Sequence, residues 1–189
     1  MALICVIETL IQGNNECVKT IGGIRKSYGI NWEDITNKEV TITAGAISGI
    51  TPTGANLFAI LEYDDDNTAS YNQSTTRTGN DARVTQTATL KFTGVDSAKV
   101  ITANKAKGVR KGLWIHIMND GTILSQGVEF NVDGTKGIPS TVGAKVNPNV
   151  NSNTGEAASD ITYNIEATST DMIPVSMTES ALDALSDAS

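Results

Sequence analysis

Histidine occurs once in these 189 residues and cysteine only twice. The single imidazole, His116, stands in a strand-like run between Trp114 and Met118. Acyl transfer needs a base aligned with a nucleophile, so a structural or interface role suits His116 better than a triad. Cys5 and Cys17 match neither a redox nor a zinc spacing and read as small, half-buried thiols. The glycines of Thr135 to Lys145 lack the order that cradles phosphate. Asp64, Asp65 and Asp66 adjoin, whereas a calcium loop needs alternate ligands, a central glycine and a distal glutamate. No carboxylate pair stands in an apolar setting that would raise a pKa. The reading is therefore a chain with no catalytic residues, no metal and no cofactor, and not an enzyme.

Charge and hydropathy remove further classes. Lys and Arg number 14 against 21 Asp and Glu, a net charge of -7, which argues against wrapping nucleic acid, since phosphate binding draws on clustered cations. The N-terminal stretch has neither a basic n-region nor a sufficient apolar run, so no secretory leader and no membrane span are expected, and synthesis is placed in the cytoplasm. Hydrophobic residues are 39% and aromatic ones 5%; Thr, Ser, Asn and Gly fill the difference, a composition that favours β structure with polar loops over a helical bundle.

What is present is strand periodicity. Val84 to Phe92 alternates, with Ala88, Leu90 and Phe92 on one face. Asp96 is placed to cap a helix over Ser97 to Lys107, with Val100 and Ile101 turned inward and Gly108 as its stop. Leu113, Ile115 and Ile117 then alternate with Trp114, His116 and Met118 up to Asp120-Gly121, read as a two-residue hairpin turn. The returning arm runs from Thr122 to Val132, with a bulge at Gly127. Upstream, Ile24 to Trp32, Val40 to Ile50 and Leu57 to Tyr63 read as strands; downstream, Ile161 to Met177 resumes the alternation and Thr178 caps a short turn holding Leu182 and Leu185. The expected fold is mainly β, a β-sandwich or barrel with one short flanking α-helix and two long loop excursions, about 64–81 and 131–160. Residues 1–20 form an N-terminal arm, 21–178 a single β domain and 179–189 a short tail.

The arm carries Leu3, Ile4, Val6, Ile7, Leu10 and Ile11, which would be an aggregation hazard unless covered by the body or by a neighbouring copy. Subunit contacts are accordingly expected from these six residues, from the excursion at Asp64, Asp65, Asp66 and Tyr71, and from Trp114 and His116.

Cys17, the run Gly22-Gly23-Ile24 leading to Tyr28, the Thr-rich strand Thr85 to Leu90 before a short helix, the strand and Asn-Asp-Gly turn from Trp114 to Gly121 reaching Gly127, and Ile173-Pro174 closing a late strand together resemble the tail tube (major tail) proteins of tailed bacteriophages of Bacteroidetes-type hosts. The resemblance implies six copies closing into a ring, rings stacking into a tube in the virion tail, DNA passing through without specific binding, and neighbours such as sheath, terminator or baseplate proteins. A ring of this kind closes by heterologous contacts. The residues 131–160 have no counterpart in that pattern. A capsid decoration protein or other virion component, and a carbohydrate-binding β-sandwich offering Trp32 or Trp114 as a stacking platform, are the alternative readings.

Overall fold

The computed structural model describes residues 23–54, 59–62, 69–78, 81–151 and 159–186. The arm with its six apolar residues, both cysteines and Asp64 to Asp66 lie outside the described residues.

Among the described residues, twelve strands form two sheets. The larger contains β1 (Ile24–Asn31), β4 (Ala59–Glu62), β5 (Ser70–Thr78), β6 (Asp81–Thr93), β7 (Gly112–Met118), β8 (Ile123–Gln126), β11 (Val142–Asn151) and β12 (Asp160–Ser169). Its order is β4-β1-β7-β11-β12-β6-β5, with β8 also on β7. The smaller sheet contains β2 (Val40–Thr43), β3 (Ala46–Gly49), β9 (Val128–Phe130) and β10 (Lys136–Pro139), in the order β3-β2-β10-β9. The expected mainly β architecture with a short flanking helix is what the chain adopts.

The alternation read from the sequence builds two cores. On β7 every residue from Gly112 to Ile117 is buried, because both faces of this central strand are covered. Leu113, Ile115 and Ile117 join Tyr28 and Ile30 of β1 and pack against Val40, Ile47 and Val128 of the smaller sheet. Trp114 points the other way, into a second core with Ala88, Leu90, Val146, Ile161 and Ile165. Helix α1 (Ser97–Ala106) closes that core. The larger sheet also curls, so that the Ile24 amide at the start of β1 reaches the Ala69 carbonyl just before β5 (3.3 Å).

Several local expectations change. Residues 70–78 of the first excursion form β5, paired with β6 from Ser70↔Thr89 to Thr78↔Asp81; backbone pairing along an edge needs no apolar alternation, so hydropathy gave no sign of it. The second excursion likewise contains β10 and β11, and β11 pairs with β12 over most of its length, burying only Ala144 and Val146 as apolar side chains. The run from Val40 to Ile50 folds back on itself at Ala44-Gly45, both with positive φ (52° and 79°), giving a hairpin of β2 and β3. The β7–β8 turn has three residues, not two: Ile117 pairs with Ile123, the Met118 amide bonds to Thr122 O (2.8 Å), and only Gly121 has φ > 0 (86°). That is the type I turn with a following left-handed residue. The returning arm breaks at Gly127, where φ is 85° and a Cβ would strike Gly112 O and Ala144. There the chain leaves the larger sheet for the smaller.

Asp96 caps α1 through a bond from the Lys99 amide (2.8 Å), but Ile101 is 55% exposed and Ala103 is the residue that faces the core. A hydrophobic side chain at the wrong angle of a ten-residue helix gains nothing from its apolarity. The C-terminal segment is more than a tail. Thr178 caps α2 (Glu179–Asp183), accepting from the Ala181 amide (3.2 Å), and Leu182 is fully buried in the first core.

Candidate functional site

Of the residues expected to meet another subunit, the structure brings Tyr71, Trp114 and His116 together inside the curl of the larger sheet. The Tyr71 and His116 rings lie 5.2 Å apart and the Trp114 ring 6.4 Å from His116, nearly parallel to it. His116 is fully buried, Trp114 is 7% exposed and Tyr71 is half-buried.

A polar network runs through this interior. Gln126 Nε2 donates to the carbonyls of Gln86 (3.0 Å) and Ile165 (2.8 Å), which fixes its amide and turns Oε1 toward His116 Nε2 (2.9 Å). The imidazole must then carry its proton on Nε2, leaving Nδ1 to accept from the Ser27 hydroxyl (2.8 Å);. Gln86 Oε1 accepts from the Gly127 amide (3.1 Å), and Trp32 Nε1 donates to Gly127 O (3.0 Å). Tyr71 Oη donates to Ser125 O (3.0 Å), while Ser125 Oγ donates to Ile173 O. The network thus stitches β1, β5, β6, β7, β8 and β12 at the break where the chain changes sheets. Burial drives the His116 pKa down to about 4, and it raises that of the Tyr71 phenol. Ser27 and His116 have the spacing of a nucleophile and base, yet both are fully buried, so no substrate reaches the pair. Sequence reasoning missed Gln86, Gln126 and Ser27; the available signal was Gln86 sharing the inward parity of Ala88 and Leu90.

The surface offers two further features. Beneath α1 lies a cavity of about 320 Å³ whose walls include Trp114, Tyr163, Ala106, Val109, Asp34 and Lys105. The Trp114 indole N–H is buried and has no hydrogen-bond partner among the described residues. Lys105 lines the cavity, and Lys107, Arg110 and Lys111 follow it in the chain; all four are exposed and form no ion pair among the described residues. Among the same residues no group of three His, Cys, Asp or Glu side chains converges to hold a metal ion, and no helix is long and apolar enough to cross a membrane.

The larger sheet also has two ends. Strand β4 is hydrogen-bonded to β1, and β5 to β6. The outward face of β11, β12, β6 and β5 is mostly hydroxyl and amide: Thr85, Thr87 and Thr89 of β6 lie beside Ser74, Asn72 and Ser70 of β5 and Thr168, Glu166 and Asn164 of β12. No family model, curated protein or solved structure matches the chain.

Proposed function

We propose that this chain is a structural, non-enzymatic subunit of a phage tail tube, in which six copies close into a ring and rings stack into a tube that conducts genome DNA. The observation that carries the reading is strand β5. It offers nine residues at the end of a sheet, with no proline or glycine and only Arg77 charged. Monomeric proteins blunt such edges with charge, bulges or short strands, because the open backbone groups template pairing with another chain. The other end of the same sheet is β4, and a β5 edge meeting the β4 edge of the next copy would be a heterologous contact, the kind from which rings are built.

Two features support the same reading. The outward face of the larger sheet is mostly hydroxyl and amide, with Arg83, Lys91 and Lys145 as cations and Lys91 paired with Asp160, and tight phosphate binding draws on clustered, unpaired cations. Both tryptophans are buried, Trp32 at 1% and Trp114 at 7% exposure, so neither is the sugar-stacking platform that a carbohydrate-binding module would use.

Negative-stain electron microscopy of the purified protein over a range of concentrations tests the proposal. Hollow rings or tubes with six-fold end views are the expected result. Monomers or trimers at every concentration overturn it and favour a decoration protein.

A further inference from the structure

We propose that the turn between β9 and β10 of a second copy seats in the cavity beneath α1, with Val132 entering the cavity and Asp133 meeting the cations beside it. The inference rests on the tube reading and names the surfaces through which one ring stacks on another.

Val132 is the most exposed large hydrophobic residue described, at 105%. No described residue covers it. The turn that presents it is held rigidly: Asn131 Oδ1 accepts from the amides of Thr135 (2.9 Å) and Lys136 (3.1 Å), the Gly134 amide bonds to Asn131 O (3.0 Å), and Asn131 N bonds to Lys136 O (2.9 Å). A preformed tip loses little conformational entropy on docking. Its neighbour Asp133 is exposed and forms no ion pair among the described residues.

The receiving surface has the opposite character in both respects. Its cavity of about 320 Å³ is walled mainly by apolar side chains, Trp114, Tyr163 and Val109 among them, with ample room for an isopropyl group. Lys105 belongs to the wall, and Lys107, Arg110 and Lys111 follow it in sequence, exposed and with no ion pair among the described residues. Asp34, the one carboxylate among the described residues of the wall, accepts from Asn31 Nδ2 (3.3 Å), while the chain from Lys105 to Lys111 carries four cations. An apolar knob flanked by a carboxylate fits an apolar hole flanked by ammonium groups. Because knob and hole lie on different parts of the subunit, the contact is heterologous, the kind that can repeat without closing, as stacking along a tube requires.

The test uses the full chain with Val132→Ser and Asp133→Lys together, read by sedimentation velocity and electron microscopy. Both side chains are exposed, so circular dichroism and melting should match the parent. The expected result is free rings in place of tubes, with the concentration needed for stacking raised at least tenfold. Asp133→Lys and Lys105→Asp should each weaken stacking, and the two together in one chain should restore it. Parent-like tubes from the Val132→Ser, Asp133→Lys variant overturn the inference, leave the cavity to a small apolar ligand and leave the tube reading standing. Loss of stacking without restoration by the charge swap overturns the pairing. A parent that never forms rings overturns both readings together.

Discussion

A neutral imidazole locked between Ser27 and Gln126 links the fold to pH. The His116 pKa falls from 6.5 to about 4 because burial penalises the imidazolium, and Gln126 only partly offsets this by accepting the Nε2 proton. As pH drops the unfolded chain takes up its proton first, so the stabilisation is complete above pH 6.5 and is lost as pH falls toward 4. The full loss is on the order of 3 kcal/mol. Glu179 and Asp183 are shifted down too, Glu179 chiefly by the hydrogen bond from Arg25 and Asp183 by that from Lys26. Their contribution is lost only below the ordinary carboxylate range. The interval from pH 6.5 to 4.5 therefore belongs to His116. Thermal unfolding followed by circular dichroism should show Tm falling across that interval in the parent, and a flat profile in His116→Gln. A slope that survives the substitution would assign the proton to another group. The sequence revealed that His116 lies in a strand among large apolar residues, which is why a structural role was legible. Its partners were not, because Ser27 and Gln126 are 89 and 10 residues away and only the curl of the sheet brings them together.

Helix α2 shows how an element too short to form alone is kept in place. Five residues cannot sustain a helix in water, so its order comes from docking on β1. Arg25 holds Glu179 through both guanidinium nitrogens (2.9 and 2.7 Å), and Lys26 and the Tyr28 hydroxyl both donate to Asp183 Oδ1 (2.7 Å each). A bulge between Ile24 and Lys26 shifts the register of β1 and allows neighbouring Arg25 and Lys26 to serve one helix. The Arg25–Glu179 pair is largely solvated, its side chains 44% and 33% exposed, so burial of Leu182 is the stronger term. Leu182→Ala should cost roughly 2–4 kcal/mol, whereas Glu179→Gln should cost under about 1 kcal/mol; urea unfolding monitored by tryptophan fluorescence separates them. Equal effects would mean that the ion pairs hold the helix. Elements with a cap or an apolar period, such as α1, α2, β6 and β7, were readable from the sequence. Those that draw their order from backbone pairing, β5 and most of β11, were not. The turn at Ala44 was hidden for a related reason, because the residues on either side keep alternating; at Gly127 an irregularity was legible from the glycine, but the change of sheet was not.

At the scale of the whole molecule the question is which surfaces remain for other copies; the expected contacts were the arm and Asp64 to Asp66, both outside the described residues, and Tyr71, Trp114 and His116, of which the last two are buried and Tyr71 half-buried. The fold adds the β5 edge, which a polar sequence concealed. The pairing of Thr78 with Asp81 leaves two residues between them, and a connection of that length is closed by a hydrogen-bonded pair. Hydrogen-bonded and non-bonded pairs then alternate along the ladder, so Thr76, Ser74 and Asn72 bond to β6 while the amide of Thr75 points away. Proline at position 75 removes an outward N–H without breaking the internal ladder, the placement that an edge strand tolerates. Thr75→Pro should therefore leave Tm within a few degrees of the parent while abolishing rings, whereas Ser74→Pro removes a ladder bond and should lower Tm markedly. Size-exclusion chromatography with light scattering reads assembly, and thermal melting reads the fold. Rings of normal size from a folded Thr75→Pro variant would show that copies meet through some other surface, since no pairing along β5 survives the loss of that donor unchanged. Rings lost together with the fold in Thr75→Pro, but retained in Ser74→Pro, would mean that the ladder runs in the opposite phase, and the two substitutions would exchange roles.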